Sequence, residues 1–398
     1  MAMIQEPIKI VHADECMDVR DGTHDSPQSV QTGIPLVTSK NLVNGKIDFS
    51  TCNFISEEDH EAISKRSKVD DGDILYAMIG TIGNPVIVSK DCDFSIKNVA
   101  LFKFNNADVY NRYIYHFLNS EIAKKQLTKL SRGGTQKFVS LGNLRKLKIP
   151  LPPLAEQRRI ASILDQADEL RQKRQQAIEK LDQLLQATFI DMFGDPVSNP
   201  KGWDVKKLEN LTTKIGSGST PKGGDSAYKD EGISLVRSLN IYDGQFSYKN
   251  LAFIDQDQAD KLKNVILQAN DVLLNITGAS VARCCLVPNE VLPARVNQHV
   301  SILRVKDNLI PEFLEALLIS KPMKLHLLKI SGAGATREAL TKLQLQELEI
   351  IVPPLDIQNE FLLKLESIKC LIDLNSKQLN ELDKLFISSQ NQAFNGSL

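Results

Sequence analysis

The stretch Pro152-Pro153-Leu154-Ala155-Glu156-Gln157 decides the organisation of this chain, because it occurs twice. Near the C-terminus it reads Pro353-Pro354-Leu355-Asp356-Ile357-Gln358, 201 positions later. A segment of roughly 150 residues, an ordinary size for one domain, precedes each copy, and a long amphipathic pattern follows each copy. The sequence therefore predicts a tandem duplication in which each half consists of one globular module and one helix.

The composition is that of an ordinary soluble globular protein. Of the 398 residues, 42% are hydrophobic and 24% are charged, and the formal net charge is −1. This balance excludes a generally basic nucleic-acid binder and leaves only local patches. The N-terminus lacks a signal-peptide pattern, and no apolar run approaches the roughly 20 residues of a membrane-spanning helix. We therefore expect a cytoplasmic protein. The six cysteines show no Cys-x-x-Cys spacing, so we expect reduced, mostly buried thiols and no metal site.

Short apolar runs separated by turn signals predict a mixed α/β module in each half. In the first module we predict a helix at residues 111–130 and strands at residues 34–38, 73–79, 85–89, 99–104 and 147–151. The second module repeats this order, with a helix at residues 311–328 and strands near 270–274, 300–305 and 349–352. The regions before Asp73 and Asp271 match poorly. We therefore expect two modules that share a frame and differ in detail.

A seven-residue apolar repeat follows each proline pair and predicts two long helices that pair as a coiled coil. About 35 residues of helix give a rod of roughly 50 Å, which suits a spacer. Arg174 and Asn375 each interrupt one repeat near its middle, and they would meet if the helices run antiparallel. The alternative is that both reach solvent. The stripes include Leu170, Leu184, Leu371 and Leu385, and the positions that we assign to the helix interface are Ile160, Ala167, Arg174, Leu181, Phe361, Ile368, Asn375 and Leu382.

No catalytic motif fits the sequence. Gly216-Ser217-Gly218 lacks the Gly-Lys that a phosphate-binding loop requires, and no Asn- or Asp-Pro-Pro-aromatic tetrapeptide of amino-methylating enzymes occurs. The six histidines are scattered and form no pair with a Cys or Ser that suggests a nucleophile. We therefore predict a chain that is not an enzyme by itself and carries no cofactor.

Basic residues are concentrated between Lys124 and Lys148, where no acidic residue intervenes. Such a stretch predicts contacts with DNA phosphates, and a solvated helix face is the alternative. Within it, Arg132-Gly-Gly-Thr-Gln-Lys137 combines backbone freedom with side chains that read base edges. Loops with similar donors and acceptors recur in both modules. The residues that we assign to DNA on this basis are Thr23, His24, Ser39, Lys40, Asn41, Lys129, Arg132, Thr135, Gln136, Lys137, Ser217, Ser219, Thr220, Arg237, Asn240, Thr336 and Arg337.

Two variable modules, each closed by Pro-Pro-Leu-x-x-Gln and a long helix, resemble the specificity subunit of type I restriction–modification systems. The resemblance covers essentially all 398 residues. Further phrases that carry it are Asp21-Gly-Thr-His24, Gly72-Asp-Ile-Leu75 and Lys201-Gly-Trp203. The chain departs from the pattern in module one, which has no Gly-Trp entry, and at Asp356-Ile357, which stand where the first copy has Ala155-Glu156.

The resemblance implies a mixed α/β (α+β) tandem repeat, in which two long antiparallel coiled-coil helices separate two globular target-recognition domains. The implied boundaries are residues 1–151 and 194–352 for the domains and residues 152–193 and 353–398 for the helices. Each domain would read one half of a bipartite, asymmetric double-stranded DNA target. Two methylation subunits, which bind S-adenosylmethionine and methylate adenine N6, would dock on the chain, and restriction subunits would join to cleave DNA with ATP and Mg²⁺. The alternatives are a fused methyltransferase–nuclease and a coiled-coil scaffold that does not contact DNA.

Overall fold

The chain divides into two compact units. The structure is a computed structural model that describes residues 8–80, 82–130, 138–221, 223–332 and 338–398. Unit 1 comprises Met1–Gln175 and Ser376–Leu398, and unit 2 comprises Gln176–Asn375. Each unit therefore contains one whole module together with a part of each long helix.

The elements of the first module follow one another as short strands and helices. Its strands are β1 (Lys9–His12), β2 (Asp18–Asp21), β3 (Ile34–Val37), β4 (Leu42–Val43), β5 (Lys46–Ile47), β6 (Asn53–Ile55), β7 (Ile74–Ala77), β8 (Gly83–Ile87), β9 (Ser95–Ile96), β10 (Val99–Lys103) and β11 (Lys148–Leu151). Its helices are α1 (Ala13–Cys16), α2 (Glu57–Ser67), α3 (Asn111–Asn119), α4 (Glu121–Leu130) and α5 (Leu141–Arg145). The first long helix, α6, spans Leu154–Phe193.

The second module contains the same series of elements. Its strands are β12 (Val205–Lys207), β13 (Thr212–Ser217), β14 (Ile233–Val236), β15 (Ile241–Tyr242), β16 (Gln245–Phe246), β17 (Ala252–Ile254), β18 (Val272–Asn275), β19 (Cys284–Leu286), β20 (Ala294–Val296), β21 (Val300–Val305) and β22 (Glu349–Ile351). Its helices are α7 (Leu208–Leu211), α8 (Gln256–Asp260), α9 (Pro311–Ile319), α10 (Lys321–Gly332) and α11 (Lys342–Gln346). The second long helix, α12, spans Leu355–Asn395.

The sheets of the two modules have the same strand order. In the first module β2-β10-β7-β8 form a four-stranded antiparallel sheet, β6-β3-β9 a three-stranded sheet, and β1-β11 and β4-β5 two-stranded pairs. In the second module the matching sheets are β13-β21-β18-β19, β17-β14-β20, β12-β22 and β15-β16. The only parallel pairs among them are β3 with β9 and β14 with β20, counting the described strands. The sequences before Asp73 and Asp271 match poorly, but the strand order there is the same in both modules, so the modules share a frame as expected.

Each of the two helices predicted after the central strands is in fact a pair of helices. The break falls at Ser120 in the first module and at Ser320 in the second, and both residues have extended backbone angles. The Ser120 hydroxyl donates to the Phe117 carbonyl at 2.6 Å and accepts the Ala123 N–H at 3.2 Å. The Ser320 hydroxyl donates to the Leu317 carbonyl in the same way. Serine is a preferred residue for ending one helix and capping the next, which explains the paired break.

A buried aspartate before the central strand anchors each four-stranded sheet. Asp73 accepts from Lys103 of β10 at 2.8 Å, and Asp271 accepts from Arg304 of β21 at 2.8 Å. The residue before each aspartate, Gly72 or Asn270, has a positive φ, a conformation that glycine and asparagine adopt most readily. The Gly-Asp and Asn-Asp phrases of the sequence are therefore turns that bring a carboxylate to a cation on the neighbouring strand.

The glutamine of the Pro-Pro-Leu-x-x-Gln motif joins each long helix to its module by hydrogen bonds. Gln157 accepts the Tyr110 N–H at 2.8 Å and donates to the carbonyls of Asp108 and Pro152. Gln358 accepts the Ile310 N–H at 2.9 Å, and it donates to the carbonyls of Asn308 and Pro353. Both glutamines are buried. The motif thus joins the first turn of a long helix to the loop that opens α3 or α9.

The ends of the long helices complete the cores of the units. In unit 1, Ile160 and Leu164 of α6 belong to the same buried cluster as Phe394 of α12, whose ring lies 5.4 Å from that of Phe117. In unit 2, Phe193 of α6 packs on Phe313 and on Phe361 of α12, with ring centroids 4.8 and 5.3 Å apart. The core of each unit therefore includes side chains from both long helices.

The predicted apolar stripes are only partly buried. Ile160, Phe361 and Ile368 are buried, whereas Ala167, Leu181 and Leu382 are half-buried. Four leucines that the heptad pattern places in the stripes are exposed instead, namely Leu170, Leu184, Leu371 and Leu385. A single partner helix covers only a narrow seam, so leucines beside that seam remain accessible. Arg174 is exposed, and the Asn375 amide donates to the Leu371 carbonyl of its own helix at 2.7 Å. The pairing of Arg174 with Asn375 stays a prediction.

Candidate nucleic-acid interface

In the first module, most of the described loops assigned to DNA lie at one edge of the four-stranded sheet. Because β10 is antiparallel to both β2 and β7, the end of β2, the start of β10 and the end of β7 share that edge. The loop after β3 joins them, because the Lys97 N–H donates to the Val37 carbonyl at 2.9 Å and the Asn98 N–H donates to the Thr23 carbonyl at 3.1 Å. We call this group of loops cluster one; it comprises residues 22–26, 38–40, 78–80 and 97–98.

The second module forms an equivalent group of loops. The Gly218 N–H donates to the Asn297 carbonyl at 3.1 Å, and the Asn297 N–H donates to the Val236 carbonyl at 3.1 Å. The Ile276 N–H donates to the His299 carbonyl at 3.0 Å. Cluster two accordingly comprises residues 218–220, 237–239, 276–279 and 297–299. Loops that are distant along the chain therefore come together in both modules.

A glycine with no room for a side chain holds each cluster together. A Cβ atom on Gly22 would lie 2.2 Å from the Ile96 carbonyl oxygen, and one on Gly218 would lie 1.9 Å from the Val296 carbonyl oxygen. Both distances are far below van der Waals contact. The first loop of each cluster can therefore lie directly on the backbone of its neighbouring strand only because it contains glycine.

Two asparagines that the sequence assigns to DNA have an internal role instead. Asn41 is buried, where its side chain accepts the Thr38 N–H at 2.9 Å and donates to the Asp48 carbonyl at 3.1 Å. Asn240 is fully buried and makes the same bonds with Arg237 and Ser247. These amides close the turn that follows β3 or β14, so they are not available to bases. The assignment of Asn41 and Asn240 to DNA contacts is therefore wrong.

The exposed members of cluster one form a hydrogen-bonded group. The His24 ring lies between the Asp21 carboxylate, at 3.0 Å from Nε2, and the Asn98 side-chain oxygen, at 2.9 Å from Nδ1. The Ser39 hydroxyl donates to the Asn98 carbonyl at 3.4 Å, and the Lys40 side chain points into solvent. Asn98 was not predicted, although an Asn beside a predicted strand start, where positive φ is common, was a usable signal.

The members of cluster two form a different group. The Thr220 hydroxyl donates to the Gln298 side-chain oxygen, and the Gln298 amide donates to His299 at 3.0 Å. Ser219 is exposed and Ser217 is half-exposed. The Arg237 guanidinium donates to the Asn250 carbonyl at 2.7 Å and lies 4.8 Å from the Tyr228 ring centre, so packing inside the module fixes its orientation. The two clusters therefore have the same backbone arrangement but present different polar side chains.

The two glycine loops of the prediction lie outside the described residues. They contain Arg132, Thr135, Gln136 and Lys137 in the first module and Thr336 and Arg337 in the second, and the assignment of all six stays a prediction. The chain after each loop is described. Phe138 forms a bridge with Ile79, and Ala339 forms a bridge with Thr277. The described residues Phe138 and Ala339 therefore lie at the edge where the cluster of their module lies.

The described part of the basic stretch has mixed roles. Lys129 is exposed at the end of α4, as the assignment to DNA requires. Lys124 forms an ion pair with Glu121 at 3.1 Å, and the Arg145 guanidinium donates twice to the Val19 carbonyl. Glu347 and Glu349 occupy the positions of Lys146 and Lys148 in module two. Module two therefore carries negative charges where module one carries these two lysines.

Among the described residues, no three His, Cys, Asp or Glu side chains come together in a way that could hold a metal ion, and no helix is long and apolar enough to cross a membrane. All six cysteines are free thiols. Cys16, Cys284 and Cys285 are buried, whereas Cys92 and Cys370 are exposed. The expectation of mostly buried thiols is therefore wrong for the surface pair.

The molecule belongs to the class of two-module proteins in which two related domains, each with one loop cluster, are joined to two long helices. A family model described as the type I restriction modification DNA specificity domain matches residues 29–180 and residues 200–384. The chain belongs to this family.

Curated relatives extend the match over most of the chain. A putative type I restriction enzyme specificity subunit of Methanocaldococcus jannaschii, MjaX, is 25% identical and aligns with 92% of this chain and 87% of its own length. The EcoKI specificity subunit of Escherichia coli K12 is 22% identical, over 92% of this chain and 82% of its own length.

Solved structures share the fold. A chain of a type I restriction–modification system, solved in a study of complex assembly and conformational transition, has a TM-score of 0.61, 21% identity and 99% coverage of both chains. The S subunit of the system from M. genitalium has a TM-score of 0.55 and 14% identity, over 98% of this chain and 97% of its own. The predicted mixed α/β tandem fold and the predicted family are thus confirmed.

Proposed function

We propose that this chain recognises DNA for a type I restriction–modification complex, and that each module reads one half of a bipartite, asymmetric duplex target. The observation that carries the proposal is the pairing of one backbone frame with two sets of exposed side chains. Cluster one presents His24, Ser39 and Lys40, whereas cluster two presents Ser219, Thr220 and Gln298. Base edges are read by hydrogen-bonding side chains, so two different sets imply two different half-sites.

We further propose that α6 and α12 form the antiparallel coiled coil that sets the spacing of the half-sites. In unit 1, Arg171 of α6 donates to Asp383 of α12 at 2.6 Å and lies 4.5 Å from the Phe386 ring centre. In unit 2, Met192 near the end of α6 accepts from Lys364 near the start of α12. A late segment of one helix thus meets an early segment of the other in each unit, as antiparallel pairing requires.

Exposed leucines on the long helices favour docking of two copies of the same partner. Leu170 and Leu385 in unit 1 are 52% and 62% exposed, and Leu371 and Leu184 in unit 2, their equivalents 201 positions away, are 47% and 49% exposed. Large apolar side chains rimmed by polar ones mark interaction sites. We assign these two equivalent surfaces to two methylation subunits.

The bond-making steps would belong to the partners. The methylation subunits would bind S-adenosylmethionine and transfer its methyl group to adenine N6, a reaction that requires the base to leave the helix stack. Restriction subunits with ATP and Mg²⁺ would cleave the DNA. In this arrangement the present chain contributes recognition and spacing only.

A gel-shift series at several salt concentrations, with the methylation subunits present, tests the DNA function. The expected result is tight binding to one bipartite sequence, with affinity that falls as salt rises because counterions are released. A scaffold that does not contact DNA would add no sequence preference and no salt dependence to the partners alone. Methyl transfer by the purified chain without partners would instead support the enzyme alternative.

The docking surfaces can be tested separately by native mass spectrometry. We expect Leu170→Asp with Leu385→Asp to reduce the complex from two methylation subunits per chain to one. Exchange of the exposed Lys173 for Ala, on the same helix, is the matched control and should leave both partners bound. Two partners on the double variant would contradict the assignment.

A further inference from the structure

The described surface of module one contains a cavity that the predicted site residues do not explain. It has a volume of about 530 Å³ and lies between the first loop of cluster one and helix α2. Its polar lining comes from Thr23, His24, Asp25, Ser26, Asp59 and Arg66. Arg66 was not among the residues that the sequence assigned to DNA.

Arg66 is held rigidly although its side chain is largely exposed. Its guanidinium donates to the carboxylate of Asp21, and the two side chains are 62% and 5% exposed, respectively. The Arg66 carbonyl accepts from Arg20 at 2.9 Å, and Arg20 is itself paired with Asp18. A guanidinium has five N–H donors, of which Asp21 takes one. Within the described residues, the structure shows no other partner for this guanidinium, so its remaining donors are available to a ligand.

The carboxylate of Asp25 supplies acceptors at the same cavity. The Asp25 N–H donates to the Thr23 hydroxyl at 3.1 Å, which orders the backbone of this turn, and the Asp25 side chain is exposed at the cavity. Asp59 also lines the cavity, close to the Ser56 hydroxyl that donates to it at 2.8 Å. Donors therefore lie beside acceptors at this cavity.

Carboxylates in the lining favour a base pair over a phosphate group as the occupant. A phosphate would meet repulsion from Asp25 and Asp59, whereas the edge of a G·C pair presents acceptors on guanine and a donor on cytosine in the major groove. Arginine donates in pairs to guanine O6 and N7, and aspartate accepts from cytosine N4. The cavity offers both groups.

Module two has no equivalent of this arrangement. In the four-stranded sheet of module one, Asp21 pairs with Ala100. In module two, Ser301 is the equivalent of Ala100 and pairs with Ser217, so Ser217 is the equivalent of Asp21. A serine hydroxyl thus replaces the buried carboxylate. The helix that corresponds to α2 is shorter and ends at Asp260, and its residues contain no arginine.

We propose that Arg66, positioned by Asp21, and Asp25 read a G·C base pair in the half-site of module one. This inference rests on the proposed DNA function and adds to it one base pair and the side chains that recognise it. Module two recognises its half-site without such a contact.

The test selects bound sequences from a library of random DNA duplexes, with the full-length chain in complex with its methylation subunits. The wild type should yield a bipartite motif with a G·C pair in the half that module one reads. Arg66→Ala should remove the preference at that pair, a loss of discrimination of roughly 5- to 150-fold. The other half of the motif should stay unchanged and serves as an internal control for folding and assembly.

Two further variants separate base reading from charge and from folding. Arg66→Lys keeps the charge but lacks the planar fork that can bind Asp21 and a guanine edge at the same time, so it should weaken the same preference while the melting temperature is retained. Lys65→Ala removes a neighbouring exposed cation and should keep the whole motif. An unchanged motif with Arg66→Ala would overturn the inference. The inference would also be overturned if Arg66→Ala lowered the affinity for every DNA sequence equally and reduced the salt dependence of binding by about one phosphate contact. A wild-type complex without any motif would instead refute the proposed function itself.

Discussion

Substitution of Gln358 offers the most direct test of how the hydrogen bonds of the duplicated motif stabilise unit 2. Gln358→Ala removes the acceptor of the Ile310 N–H, at 2.9 Å, and the donor to the Pro353 carbonyl, at 2.8 Å. The third bond, to Asn308 at 3.4 Å, is long and adds little. Gln358 is fully buried, so water does not replace these bonds. An unsatisfied buried group costs about 1–3 kcal/mol, which gives a loss of about 2–6 kcal/mol for two groups.

Trp203 makes this loss measurable in unit 2. It is the only tryptophan of the chain, and its indole N–H donates to the Phe193 carbonyl at 3.0 Å. Urea unfolding followed by tryptophan fluorescence should therefore report the unit that contains Gln358. With a denaturant slope of about 2–3 kcal/mol per molar, the midpoint should fall by about 1–2 M.

Asn359→Ala is the matched control for this experiment. Asn359 is the next residue on the same helix, but it is exposed, so its loss should change the free energy of unfolding by less than about 0.5 kcal/mol. If Gln358→Ala and Asn359→Ala shift the midpoint equally, with unchanged slopes, the motif glutamine does not clamp the helix and the reasoning fails.

Three further predictions concern the loop frame, the acid response and the thiols. Gly218→Ala should lower stability by about 1–3 kcal/mol because its Cβ would overlap a strand carbonyl, whereas Gly216→Ala, with nothing within 4 Å, should be tolerated; equal melting temperatures would contradict this. Burial acts to raise the pKa of Asp165, but hydrogen bonds from His116 and Arg112 outweigh burial and hold that pKa below its usual value. The stabilisation is therefore complete above the unfolded-state value of about 4 and is lost as pH falls through the lower folded-state value, so Asp165→Asn should flatten the acid branch of a melting-temperature profile. Finally, Ellman's reagent should react quickly with two thiols of the native protein, the exposed ones, and with six in urea; burial keeps the others protonated, and fast reaction of four or more would refute the assignment.

The architecture could be predicted from the sequence because repetition and helical periodicity leave strong marks. Helices α6 and α12 contain 40 and 41 residues, where the heptad pattern predicted about 35 residues each. The strands around Ile74 and Val99 were found because buried strands are rich in apolar residues. The breaks at Ser120 and Ser320 were missed, since a short capping turn hardly interrupts the apolar pattern on either side of it.

The candidate site could be predicted only in outline. Loops rich in Gly, Ser and Asn do mark the edge, but residue type does not reveal which polar side chain closes a turn and which faces solvent. Asn41 and Asn240 belong to the first kind, although their sequence context resembles that of a reading loop. Arg66 belongs to the second kind and lies on a helix far from the loops in sequence. Its role depends on the buried Asp21, a contact across 45 positions that no local pattern contains.

The division between frame and readers explains how one fold can serve two targets. Both clusters are held by backbone hydrogen bonds, by a glycine against a strand carbonyl and by a buried asparagine. None of these contacts uses a side chain that points into solvent. Exposed residues can therefore be substituted without loss of the hydrogen bonds that hold the loops. Substitutions at such positions usually change the free energy of unfolding by less than about 0.5 kcal/mol. A buried position also differs between the modules: Ser217 of module two stands where module one has Asp21, which removes the anchor for an arginine while the paired strands keep the same register.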